Sequence, residues 1–184
     1  MRKTSKGFTL IEMMVVMSII SLLSSVVLSA VNSARTKTDT TQRSSIVEEY
    51  RKALLLGYDK YGGYPYAGSL VNSCLGSPSS GTCGGNGGLS VNPTINGVAG
   101  EFLSSLPVHK TVVAGSTSYD GPTYWCGQPN GAADNRGGCS QVSVNWYVPG
   151  TVGVVPTKGC EPGRVSSILI GGGTWTTFCL LVLD

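Results

Sequence analysis

From Phe8 to Val31 the chain reads FTLIEMMVVMSIISLLSSVVLSAV, an apolar run whose only charge is Glu12. A helix lets such a run cross a bilayer, because it satisfies its own N–H and C=O groups. At 1.5 Å per residue the run spans about 36 Å, more than the roughly 30 Å of a hydrocarbon core. It is too long for the core of an ordinary signal peptide, and no small-residue cleavage site closes it. Arg2, Lys3 and Lys6 stand directly before it. The positive-inside rule therefore expects a cytoplasmic N-terminus, with everything after about residue 32 outside. Arg35 and Lys37 beyond the far end oppose that orientation weakly.

Those three basic residues also account for the whole formal charge of +3, since the remaining Lys and Arg equal the Asp and Glu in number. A near-neutral body creates no long-range field to gather nucleic acid, and no nucleic-acid partner is expected. Charged residues make up 12% of the chain against 26 glycines, the composition of a turn-rich fold rather than a solvated bundle.

All six cysteines (Cys74, Cys83, Cys126, Cys139, Cys160 and Cys179) lie behind the apolar run. None forms a Cys-x-x-Cys pair and His109 is the only histidine, so zinc-site spacing is missing and no metal is expected. An even count in a Gly-rich region beyond a membrane segment reads as three disulfides in an oxidising compartment. The sequence does not choose among the connectivities; pairing nearest neighbours is the simplest.

The junction Lys6-Gly7-Phe8-Thr9-Leu10-Ile11-Glu12 resembles that of type IV pilins and type II secretion pseudopilins. The shared features are a short basic leader, glycine, phenylalanine, an apolar helix, and a glutamate four residues past the phenylalanine. The resemblance is strongest over residues 1–65 and only architectural beyond them. It implies a leader of residues 1–7, cut between Gly7 and Phe8 by a cytoplasm-facing prepilin peptidase, and N-methylation of Phe8. A glycine before the helix suits that step by leaving the backbone unobstructed. The resemblance further implies that Glu12 meets the new α-amino group of Phe8 on a neighbouring subunit and so sets axial register. The plainer alternative is a glutamate about 6 Å along the helix that snorkels to the headgroups. Snorkelling leaves the matched Gly-Phe spacing unexplained.

No proline precedes Pro65, so nothing forces a break between Phe8 and about Tyr61. Many pilins carry a proline late in the membrane helix, and this chain has Val26–Val31 there instead. Ser21, Ser24, Ser25 and Ser29 can ease local unwinding through hydroxyl–carbonyl bonds, but the sequence does not require it. Val47, Tyr50, Leu54, Tyr58 and Tyr61, joined by Ile46, Ala53 and Gly57, recur at three- and four-residue steps. They predict an amphipathic half lying on a sheet. Leu55 and Leu56 fall off that stripe. Gly62-Gly63 before Tyr64-Pro65 signals the stop. Such a helix is about 80 Å long, too long for one small domain to cover, and so favours lipid or other subunits around it.

Residues 62–100 read as a Gly/Ser/Asn-rich loop; GGNGG at 84–88 lacks the Gly-Lys-Ser/Thr of a phosphate loop. Glu101-Phe-Leu-Ser-Ser-Leu-Pro is similar to the apolar segment that many pilins place between helix and sheet. The sheet is expected over 119–184. Val142, Val144, Trp146 and Val148 alternate with polar positions as a half-buried strand, and Arg164–Ile170 and Thr174–Asp184 flank a glycine turn. Tyr119 or Thr123 to Cys126 supplies another strand. The expectation is an α+β chain with the type IV pilin fold: residues 8–31 in the membrane, and a head of residues 32–184 whose helix packs on three to five antiparallel strands.

A lone His109 and scattered carboxylates give no catalytic constellation, so neither an enzyme nor a cofactor is expected. Asp120-Gly121 and Asp134-Asn135 read as turns rather than calcium loops. The leading expectation is a filament subunit whose partners are copies of itself, other pilins, the peptidase, and an inner-membrane platform with its ATPase. It is held in the membrane first and in an extracellular pilus later. A secretion pseudopilin and a membrane-tethered binding protein are the alternatives.

Overall fold

The computed structural model describes residues 7–66, 72–78, 82–85, 88–108, 110–114, 117–129, 136–149, 160–171 and 174–183. The basic leader residues, His109, Asp134-Asn135, and parts of the GGNGG and Gly171–Gly173 turns lie outside them. The chain forms two compact units, Met1–Asp39 and Thr40–Asp184. Helix α1 (Leu10–Tyr61) begins in the first and ends in the second. It starts two residues later than the apolar run suggested, because Thr9 takes the capping position.

In the first unit every described residue up to Thr38 is exposed. Four hydroxyls of this stretch turn back to the helix carbonyls, those of Ser21, Ser25, Thr36 and Thr38. Ser21 Oγ donates to the Met17 carbonyl at 2.8 Å, Ser25 Oγ to Leu22 at 2.8 Å, and Thr38 Oγ1 to Ala34 at 2.9 Å. Such back-bonds hide polar groups without breaking the ladder. The helix runs unbroken through Val26–Val31.

The second unit, the head, is an α+β fold built on the last turns of α1. Arg43, Ile46, Val47, Tyr50, Ala53, Leu54 and Gly57 form its buried stripe. The stripe reaches one turn further up than the apolar spacing indicated and stops earlier, since Tyr58 is 40% exposed. Leu55 is partly buried against the core and Leu56 is exposed. Positive φ at Gly62 (73°) ends the helix, and Tyr64 then exchanges two backbone bonds with Cys139.

Strands β1 (Asn72–Cys74), β2 (Thr82–Gly85) and β3 (Leu89–Ser90) and helix α2 (Pro93–Gly100) occupy the segment read as loop. Strands β4 (Val112–Ala114), β5 (Thr117–Asp120), β6 (Thr123–Pro129), β7 (Cys139–Pro149), β8 (Arg164–Gly171) and β9 (Thr174–Leu183) complete the chain. They form an antiparallel five-stranded sheet ordered β1-β6-β7-β9-β8 and a four-stranded sheet ordered β3-β2-β5-β4. Sheet structure therefore begins well before residue 119. Helix α2 forms because Asn92 Oδ1 accepts from the Thr94 and Ile95 N–H groups and proline starts the first turn. Burial of Ile95, Val98 and Ala99 outweighs its two glycines.

Strand β7 is central, and its apolar residues Val142, Val144, Trp146 and Val148 face the α1 stripe in the core. The half-buried reading of this strand is corrected, because Ser143 and Asn145 on the opposite face are also buried. Neighbours β6 and β9 wall them in. Cys74–Cys83, Cys126–Cys139 and Cys160–Cys179 are bridged, each cysteine to its nearest partner along the chain.

Three polar links fix α1 to the head. Arg43, 3% exposed, donates from Nη2 to the Lys110 carbonyl at 2.7 Å and from Nη1 to Tyr147 at 3.3 Å. The buried Tyr50 hydroxyl donates to Pro107 at 2.9 Å, and desolvation raises its pKa well above the ordinary phenol range. At the helix end Glu101 accepts from Lys60 Nζ and from the Tyr61 hydroxyl, both at 2.7 Å.

Candidate functional site

The residues expected to carry processing and assembly lie at the start of α1. Gly7 has open space where a side chain would stand, and Phe8 is 83% exposed, so the bond between them is sterically accessible. The helix is then closed by a reciprocal cap. Thr9 N–H and Thr9 Oγ1 both donate to Glu12 Oε2 at 2.8 Å, and Glu12 N–H donates to Thr9 Oγ1 at 3.3 Å. The first helical bond runs from Met13 N–H to the Thr9 carbonyl at 3.3 Å. This is a capping box, in which two otherwise orphaned donors are satisfied by a threonine and a glutamate three residues apart. Among the described residues Glu12 Oε1 accepts no hydrogen bond.

The sequence reading missed Thr9, although Thr-x-x-Glu before an apolar run is itself a capping signal. It weighed Glu12 only as a partner for outside groups. The structure shows that this carboxylate caps its own helix.

Among the described residues no group of three His, Cys, Asp or Glu gathers to hold a metal. Asp120 closes β5 and Gly121 follows with φ 60°, so this pair forms a turn. The cysteines are consumed in bridges that staple β1 to β2, β6 to β7, and the segment before β8 to β9.

A capped apolar helix leading into a disulfide-stapled α+β head defines a type IV pilin-like fold. Residues 2–28 match the family model of the prokaryotic N-terminal methylation motif. This motif marks a precursor of type IV pilin or pseudopilin type, and points to a structural subunit rather than an enzyme. It implies processing by a prepilin peptidase and assembly into filaments. No curated protein and no solved structure matches the chain. Helix α1 is long and apolar enough to cross a membrane, which together with the motif is consistent with a membrane-anchored precursor.

Proposed function

We propose that the chain is the subunit of a type IV pilus, cut between Gly7 and Phe8, N-methylated on Phe8, and polymerised through residues 8–31. One observation carries the reading: the methylation motif covers most of a helical stretch, up to Val31, whose large apolar side chains are all exposed. Leaving a leucine-sized side chain in water forfeits about 1.5–3 kcal/mol, so a run of them needs lipid and then other helices.

The cap refines the role of Glu12. Both Thr9 bonds end on Oε2, which leaves Oε1 for the α-amino group of a neighbouring Phe8. The carboxylate thus holds its own helix start while pairing outward. Three bridges in the head suit an oxidising compartment, which a periplasmic pseudopilus shares with an extracellular pilus.

The test is to shear surface filaments from cells and determine the mature N-terminus by mass spectrometry. N-methylated Phe8 in sheared filaments is expected, and Glu12→Ala should be cleaved normally but excluded from them. Recovery only as an uncut membrane monomer would overturn the proposal. A cut, methylated subunit confined to the periplasm would assign it to a secretion pseudopilus.

A further inference from the structure

The three bridges do not share one face of the five-stranded sheet. Residues directly opposite one another on neighbouring strands carry their side chains on the same face. Cys126 stands opposite Val142 and Cys179 opposite Trp146, and both of those partners face the α1 stripe. Cys74 stands opposite Thr123, which is itself opposite Asn145, on the other face. The packing agrees with this register. Cys126, Cys139, Cys160 and Cys179 belong to the core built with Ile46, Val47, Tyr50 and Leu54 of α1, whereas Cys74 and Cys83 do not.

Helix α1 and the chain leaving it close over the first two of these bridges. Past Gly62, Tyr64 exchanges backbone bonds of 2.7 and 2.8 Å with Cys139. The segment leading into Cys139 passes so close to the last residue of α1 that a Cβ on Gly137 would stand 2.5 Å from the Tyr61 carbonyl oxygen. On the neighbouring strand, Cys179 lies beside Trp146, which is fully buried. None of the four covered cysteines is more than 4% exposed.

That cover has a chemical consequence. A disulfide closes by exchange with the disulfide of an oxidant. One cysteine thiolate attacks an oxidant sulfur and expels the other as a thiolate. The second cysteine thiolate then attacks the protein sulfur of the mixed disulfide and expels the remaining oxidant thiolate. The cysteines lose two electrons and two protons, and the oxidant disulfide becomes two thiols. The mixed disulfide carries the oxidant covalently on a cysteine, so it needs room for a whole additional group. Cysteines packed into the core beneath α1 have no such room.

We propose that Cys126–Cys139 and Cys160–Cys179 are closed by a disulfide-bearing oxidant while residues 40–61 of α1 stand off the sheet, and that docking of the helix then seals both against exchange. Cys74–Cys83, on the other face, closes without reference to the helix. Nearest-neighbour pairing suits this order, because each bridge can form within its own stretch of chain before the helix is in place. The part of the head that comes first in the chain is thus the last to pack. The inference concerns the head alone and does not depend on filament assembly.

Reduction by a thiol passes through the same kind of mixed disulfide in reverse, so the opening of native bridges reports on the cover. The test exposes the intact oxidised protein, in detergent, to dithiothreitol. Freed thiols are alkylated at intervals, and each bridge is followed separately by peptide mass spectrometry. Leu54→Ala and the milder Val47→Ala each remove a fully buried side chain from the stripe of α1. Both should speed the opening of Cys126–Cys139 and Cys160–Cys179, by about tenfold or more for Leu54→Ala, and leave Cys74–Cys83 at the wild-type rate. Circular dichroism establishes that each variant is folded, and Val47→Ala decides the matter if Leu54→Ala is not. The proposal is overturned if all three bridges accelerate alike, which marks a global opening, if neither covered bridge accelerates, or if only one of the two does.

Discussion

Replacing Gly57 by alanine sets two effects of opposite sign against each other, and the structure decides which wins. Gly57 lies in the interior of α1, where alanine is favoured over glycine by about 1 kcal/mol. A Cβ built on Gly57 would stand 2.6 Å from Val98 Cγ1 on α2, well inside contact distance. Val98 is 1% exposed and β-branched, so it has no free rotamer into which to retreat. Overpacking of this kind costs about 1–3 kcal/mol. Gly57→Ala is therefore expected to destabilise the head by up to about 2 kcal/mol despite its better helix propensity. Val98→Ala alone should cost about 2 kcal/mol of lost burial. In the double variant the new methyl occupies space the valine vacates, so the two losses should fall short of additivity by about 1 kcal/mol. Urea unfolding of the four proteins, followed by tryptophan fluorescence, measures the cycle. A Gly57→Ala variant that is more stable than wild type, with additive effects in the pair, would refute the close approach of α1 and α2.

Tyr50→Phe keeps the ring but leaves the Pro107 carbonyl without its donor, and should lower stability by about 1 kcal/mol in the same assay; an unchanged midpoint would count against that bond. Replacing Cys126 and Cys139 together by serine opens a loop of sequence separation 13 and should cost about 3 kcal/mol in urea, with a change below 1 kcal/mol speaking against the bridge. Lys60 and then Tyr61 hold the Glu101 carboxyl below its ordinary pKa, and Arg51 does the same for Glu48. A depressed folded-state pKa gives stability that is present above the unfolded value and lost as pH falls through the folded one. The melting temperature of the head should accordingly drop between about pH 5 and about pH 3, and Glu101→Gln should make the drop shallower. An identical pH profile for that variant would exclude the contact from the stability of the head.

What the sequence disclosed depended on whether the signal was local. The long helix was legible from the absence of proline before Pro65 and from a spacing that places Val47, Tyr50 and Leu54 on one side. The two C-terminal strands were legible from the run of glycines between them. Arg43 escaped notice because carbonyls distant in sequence, those of Lys110 and Tyr147, help to hold its buried guanidinium. Helix α2 was hidden by glycines that disfavour it locally. It forms through the Asn92 cap and through contacts made by Ile95 and Val98, and only the cap leaves a trace in the order of residues. Strand β7 was read as half-buried since Ser143 and Asn145 are polar; their burial follows from flanking strands that no single-strand pattern contains. At the candidate site, Gly7, Phe8 and Glu12 stood out through the resemblance of their junction to a pilin leader. Thr9 carried an equally local signal that was overlooked because Glu12 already had a role.

The three bridges span 9, 13 and 19 residues, and every one lies behind the long helix. Residues 40–61 consequently have no covalent tie to the sheet beneath them. Tension drawn along this stretch is met by interlocked side chains and by the Arg43 and Tyr50 links, while the closed rings stiffen only what lies downstream. Steady force would peel the helix from its bed and leave each sulfur pair intact. Re-docking would then require no oxidant, and stretching and recovery can repeat without any change in redox state.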